Sequence, residues 1–210
     1  MGFSKGQNPH HPRKGASIKV DPIRDLQALA RIKQNLARER KIRDLCLFTL
    51  GINTAWRANE LLSIKVGHVQ HLKEGDKLEL KQSKTNKYRV TPLNPHTRRV
   101  VENWLDVYAD QCSNSFCPDA PLFPSHTNRR AALLVPSVTA LVKKWCHAAG
   151  IHGRFGSHTM RKTWGYHQRV TFHSPLALIS QALGHRSEDE TLTYIGILPC
   201  EIDDLYKMEL

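Results

Sequence analysis

Apolar residues recur at helical spacing along almost the whole chain, and the pattern gives way to strand-like alternation in one region only. Ile23, Leu26, Leu29, Ile32 and Leu36 predict a helix from residue 21, with Asp21 as its cap and Pro22 in its first position. A second helix over 39–53 turns Ile42, Leu45, Cys46, Phe48 and Leu50 inward and Arg38, Arg40, Lys41 and Arg43 outward, and a short third covers 58–63. KLELKQ at 77–82 and YRVTPL at 88–93 alternate around Ser83-Lys84-Thr85-Asn86-Lys87, which predicts a hairpin, with a third strand at 66–71. Helical spacing returns at 95–111 through Val100, Val101, Trp104, Leu105 and Tyr108. A Cys-, Ser- and Pro-rich loop fills 112–132. Helices follow at 136–149, 157–170, 175–183 and 188–196, with a short amphipathic tail at 201–208. Residues 1–20 have no period and read as a flexible basic arm before a single domain, 21–210. The expected class is mainly α with a small antiparallel β-sheet (α+β).

Charge narrows the partners. Lys and Arg number 31 against 19 Asp and Glu, a formal charge of +12. That much charge on one domain points to a polyanion, either nucleic acid or an anionic membrane surface. The basic residues are spread over the arm, 38–43, 81–89, 98–99, 129–130 and 143–144, so a folded face assembled from several segments is expected, not a basic tail. No apolar run approaches the ~18 residues that cross a bilayer, and the opening MGFSKGQNPHHPRKG carries no secretory signal. The five scattered cysteines, Cys46, Cys112, Cys117, Cys146 and Cys200, read as reduced thiols of a cytoplasmic protein. Cys112 and Cys117 lie near His126, but a zinc site wants a fourth ligand at recognisable spacing, and His10-His11 would bind metal only adventitiously. No metal or cofactor is expected.

Residues 157–196 hold the densest chemistry: His158-Thr-Met-Arg161, then Leu183-Gly184-His185, then Tyr194. His158 and Arg161 share a helix face, and Gly184 can end a helix so that His185 sits at a terminus. Two histidines, an arginine and a tyrosine in one place would bind an anion and offer a phenol as nucleophile or donor. Singly, each is ordinary. A helical histidine is usually a surface or core residue, H-x-x-R arises by chance in many helical proteins, and Lys84 in a hairpin turn normally faces solvent. Trp104, Trp145 and Trp164 fall at core spacing and read as packing.

The order of the motifs carries more than any one of them. Thr54-Ala-Trp-Arg57-Ala-Asn-Glu60-Leu61, Ser83-Lys84-Thr85 followed by Thr91-Pro-Leu-Asn94, Leu122-Phe-Pro-Ser125, Ser157-His158-Thr-Met-Arg161, Leu183-Gly-His185-Arg-Ser187 and Thr191-Leu-Thr-Tyr194 succeed one another. This set resembles the catalytic domain of the tyrosine recombinases, or phage integrase family, over about residues 21–200. Two departures stand out: Ala55 replaces the usual glycine before Arg57, and Lys162-Thr-Trp164 follows Arg161 where the family often has another histidine. Most members carry a helical DNA-clamping domain ahead of this one. Here only the arm precedes it, so the chain reads as a fragment or as a short member like the fimbrial-switch invertases.

The resemblance implies DNA strand exchange through a 3′-phosphotyrosine without metal or ATP, in the integration, excision or inversion of DNA such as mobile elements. Tyr194 would be the nucleophile. Arg57 and Arg161 would neutralise the phosphate, since guanidinium stays charged and donates in a fork. His185 would donate to a further phosphate oxygen, His158 would serve as base, and Lys84 would protonate the leaving 5′ oxygen, with Lys87 in its place if the hairpin register differs. The implied partners are double-stranded DNA, further copies of the chain in a tetramer, and accessory DNA-bending proteins, with no membrane. A monomeric relaxing enzyme of type IB topoisomerase kind and a non-enzymatic DNA-binding protein on the same fold remain alternatives. The 201–210 tail would dock on a neighbouring protomer or on its own domain.

Overall fold

The computed structural model describes residues 20–73, 75–81, 88–112, 117–197 and 203–207. Their order is α1 (Leu26–Arg38), α2 (Ile42–Asn53), α3 (Ala58–Leu62), β1 (Lys77–Lys81), β2 (Tyr88–Pro92), α4 (Pro95–Gln111), α5 (Val135–Ala148), α6 (Thr159–Val170), α7 (Leu176–Leu183) and α8 (Glu188–Ile195). The expected class holds: helices carry the mass, and β1 and β2 form a two-stranded antiparallel sheet with Leu78 opposite Thr91 and Leu80 opposite Arg89. Most of the arm, Lys84, Lys87, Cys200, and much of the tail lie outside the described residues; within the tail, Asp204–Lys207 form a 3₁₀ turn.

The core forms because the apolar stripes of α1, α2, α4 and α5 meet. Leu29, Ile32 and Leu36 of α1, Phe48 and Leu50 of α2, Val101 and Trp104 of α4, and Val138, Val142 and Trp145 of α5 are all buried. Helix α2 is buried nearly all round and sits centrally, against α1, α4 and α6. Trp104 donates its indole N–H to Leu122 O at 2.7 Å, which pins the start of the 122–134 segment to α4. Trp164, unlike Trp104 and Trp145, packs away from this core, against a second cluster of Ala55, Ile179, Leu183 and Ile195.

Three local expectations are corrected. The first helix begins at Leu26, not at residue 21, because Asp25 accepts from Gln27 N and caps it. Asp21 is used elsewhere: its N–H donates to Arg154 O and its carboxylate accepts from Arg154 N. The 66–71 segment is a 3₁₀ turn at Val66–His68 and not a strand, since Val66 N and Gly67 N bond outward to Ala120 O and Pro118 O. Arg43 points inward, not outward: its guanidinium bonds Asp44 (2.7 Å), Pro124 O (2.7 Å) and His126 (3.0 Å). That use of His126 separates it from any thiolate role, and among the described residues no group of three or more His, Cys, Asp or Glu is arranged to hold a metal. Among the described residues, no helix is long and apolar enough to cross a membrane.

The segment before α1 runs along α6 and ties down the C-terminal end of α8. Ile23 N donates to Thr163 Oγ1 at 2.8 Å, His167 Nε2 lies 2.9 Å from Ile23 O, and Arg24 donates to Gly196 O at 2.7 Å. Helix α8 approaches α6 closely at Gly165, where a Cβ would stand 2.7 Å from Ile195 Cγ2. These contacts set the height of α8, and therefore of Tyr194, above α6.

Candidate active site

Helix α6 supplies the floor. His158 caps it, Arg161 follows one turn in, and Lys162 lies a full turn beyond His158 on the same side. Arg161 is 2% exposed and donates to two backbone carbonyls, Ala55 O and Leu183 O. It thereby joins the loop before α3 to the end of α7. Burial pulls this guanidinium down to about 10, with the neighbouring phenol opposing and Arg57 and Arg89 adding to the shift, so it stays charged at neutral pH.

Helix α7 ends where it does because Gly184 takes a left-handed φ of 65°, leaving His185 at the turn as expected. Ser187 then caps α8 through Glu190 N, with three acidic residues in its first turn. His185 Nδ1 lies 3.0 Å from Thr191 Oγ1, which is buried and also contacts Ser180 Oγ at 2.7 Å and donates to Ser187 O at 3.2 Å. The Thr191 hydroxyl thereby holds the His185 ring through Nδ1 and leaves Nε2 as the nitrogen outside that bond. Burial holds His185 below the usual histidine range, with Glu190 opposing and Arg161 and Arg57 reinforcing.

Tyr194 stands over this floor on α8. Its hydroxyl is 3.3 Å from His158 Nδ1, its ring centroid is 4.9 Å from that of His185, and the Arg161 and Lys162 cations lie 5.9 and 5.0 Å from its centroid. Burial pushes the phenol up, against the lowering effect of Arg161 and Arg57, so the hydroxyl is protonated at neutral pH. His158, exposed at its outer side, is held below its usual range by partial desolvation and then by Arg161, Lys162 and Arg57. A neutral imidazole beside a protonated phenol is the arrangement a general base requires.

Arg57 forms the rim. It caps α3, its backbone N–H donates to Glu60 Oε2 at 2.7 Å, and its side chain, 42% exposed, brings Nη1 to 3.4 Å from Glu60 Oε1. The structure thus brings five of the six expected residues together, Arg57, His158, Arg161, His185 and Tyr194. The sixth, Lys84, and its substitute Lys87 fall outside the described residues.

Four residues that sequence reasoning assigned no role also stand here: Glu60, Arg89, Lys162 and Thr191. Lys162 could have been found from its four-residue spacing to His158. Arg89 could have been found from strand alternation, since it lies opposite buried Leu80. A cavity of about 770 Å³ opens beside Tyr194, lined in part by His158, Lys162, Lys143, Asp189 and Glu190.

A profile of the phage integrase family matches residues 24–199. A probable integrase/recombinase of Bacillus subtilis (strain 168), YoeC, is 32% identical over 180 residues, covering 85% of this chain and 90% of YoeC. In the crystal structure of the XerA recombinase a region 18% identical superposes with a TM-score of 0.70, covering 94% of this chain and 66% of XerA. XerH site-specific recombinase bound to palindromic difH substrate, a post-cleavage complex, gives 20% identity and a TM-score of 0.71 over 92% of this chain and 54% of XerH. The chain therefore spans less than two thirds of both solved relatives, whose likeness is one of fold.

Proposed function

Given that this chain belongs to the phage integrase family, we propose that it is a site-specific tyrosine recombinase whose catalytic domain is 21–210. It cuts and rejoins double-stranded DNA through a 3′-phosphotyrosine on Tyr194, in the cytoplasm. The observation that carries this reading is the Tyr194 hydroxyl 3.3 Å from His158 Nδ1, with the Arg161 guanidinium 5.9 Å from the Tyr194 ring centroid. The net charge of +12 supports a phosphate backbone as the substrate.

The chemistry follows from the groups. The Tyr194 oxygen attacks the scissile phosphorus as its proton passes to His158, and a P–O(Tyr) bond forms. Arg57, Arg161 and His185 donate to the phosphoryl oxygens, where negative charge grows; donors aimed at developing charge are usually the largest catalytic term. The bond to the 5′ oxygen breaks, and that oxygen takes a proton from Lys84. The phosphotyrosine conserves the bond energy, so a 5′ hydroxyl from a partner strand reverses the step without ATP. Exchange between two duplexes needs a tetramer, aided by DNA-bending proteins.

The test is adduct formation on nicked duplexes made from the DNA flanking the encoding gene, read on denaturing gels. The parent protein should form a covalent adduct and Tyr194→Phe should bind the same DNA without forming one. An adduct in Tyr194→Phe removes Tyr194 from the nucleophile role. Relaxation of any supercoiled plasmid, with no strand exchange between sites, would identify a monomeric relaxing enzyme instead.

A further inference from the structure

Arg161 has a counterpart on the hairpin. Arg89 of β2 is 15% exposed at its side chain and sends its guanidinium to three elements at once. Nη2 donates to Ala55 O at 3.0 Å and to Ala182 O at 2.8 Å, and Nη1 lies 3.4 Å from Glu60 Oε2. Ala55 O is the same carbonyl that Arg161 takes, and Ala182 precedes Leu183, whose carbonyl Arg161 also takes.

The end of α7 shows what this pair does. The last four carbonyls of a helix have no partner inside it. Here Ser180 O and Gln181 O accept from His185 N and Gly184 N, both at 3.0 Å. Ala182 O and Leu183 O are taken by Arg89 and Arg161. Two cations at the negative end of a helix are electrostatically favoured. Glu60, which accepts from Arg89, also fixes the backbone N–H of Arg57.

Resting on the proposed strand-transfer chemistry, we infer that Arg89 is a positioning residue that locks the Arg57 loop and the His185 turn to one another. It does not contact the phosphate. Arg161 grips the two backbone segments from below and Arg89 grips them from the hairpin side. The forked donor is essential to the role, because an ammonium on a flexible stem cannot meet three acceptors in fixed directions.

The experiment uses the full chain with Arg89→Gln and Arg89→Lys. Both should slow single-turnover adduct formation about 10- to 100-fold, the range a misplacement of about an ångström produces. Both should leave the Kd for DNA within about twofold and the protein folded. In an Arg57→Lys background, removal of Arg89 should cost clearly less than in the parent, since the effect passes partly through Arg57. Full recovery in Arg89→Lys would overturn the inference in favour of a simple charge effect. Multiplicative losses with Arg57→Lys would overturn it in favour of direct phosphate contact. Backbone hydrogen exchange without DNA gives an independent measure: peptides covering 54–61 and 181–187 should exchange faster in Arg89→Gln, and α4 should not. Unchanged exchange at those peptides overturns the clamp. Faster exchange, together with a parent protein that forms no adduct, would leave the clamp standing and remove the recombinase reading.

Discussion

Gly165→Ala tests whether the spacing of α6 and α8 sets the nucleophile. Gly165 is mid-helix in α6, where alanine is favoured over glycine by ~0.5–1 kcal/mol. A Cβ there would stand 2.7 Å from Ile195 Cγ2 and 3.4 Å from Leu183 Cδ1. Both neighbours are fully buried, and Ile195 is β-branched, so neither swings aside freely. Opening 2.7 Å to the 3.4 Å at which ordinary contact begins requires about 0.7 Å of helix movement. Overpacking of this kind costs ~1–3 kcal/mol, so net stability should fall by ~0–2 kcal/mol, a few degrees in Tm for a chain this size. Tyr194 precedes Ile195 directly and must move with it. A shift approaching an ångström between nucleophile and donors is worth ~10² in rate. Adduct formation should therefore fall by about two orders of magnitude while the DNA Kd is unchanged. Adding Ile195→Leu, which removes Cγ2 at nearly constant volume, should restore the rate to within about tenfold of the parent. Parental cleavage by Gly165→Ala, with Tm unchanged or raised, would refute the close approach as the determinant of Tyr194 position.

Thr191→Val keeps the shape of a fully buried side chain but deletes the hydroxyl that holds His185 Nδ1 and meets Ser180. Stability should drop by ~1–3 kcal/mol for the orphaned Ser180 hydroxyl, and cleavage by about tenfold or more as the imidazole loses its orientation; a parental cleavage rate in a folded variant would show that Thr191 does not orient His185. A second expectation concerns pH: burial holds His167 and His185 below the usual histidine range. Their folded-state pKa values lie under the unfolded value near ~6.5, so the unfolded chain takes up protons first as pH falls. Their contribution is complete above pH ~6.5 and is lost as pH falls below it toward the folded-state pKa. Calorimetry at pH 7.5 and 5.5 should show a lower Tm in acid, and a Tm that rises toward acid would contradict the sign.

What could be read from the chain alone divides along a physical line. Helix periods and the residue types of the motif boxes are local; they placed α2, α4–α8 and the hairpin, and they picked out five side chains that the structure brings together. The failures involve partners far along the chain. Asp21 looks like a cap until Arg154 claims it, and Arg43 looks solvent-facing until Pro124 and His126 receive it. Arg89 was silent for the same reason. The acceptors at Ala55, Ala182 and Leu183 are backbone carbonyls, which no residue type advertises.

Ala55 shows how such long-range bonds override a local rule. Its φ is 57°, in the left-handed region that costs a non-glycine residue ~1–2 kcal/mol and where the family usually has glycine. Two forces oppose that cost. Its carbonyl is taken by both Arg89 and Arg161, and its methyl, 2% exposed, packs in the cluster of Ile179, Leu183 and Ile195. Charge-assisted bonds to buried guanidinium groups are worth ~1.5–3 kcal/mol each, enough to hold the strained backbone in place. Local propensity fails here at the carbonyl on which the Arg57 loop and the helix bearing Arg161 converge, which is where a conflict between local and global preference is expected in a working site.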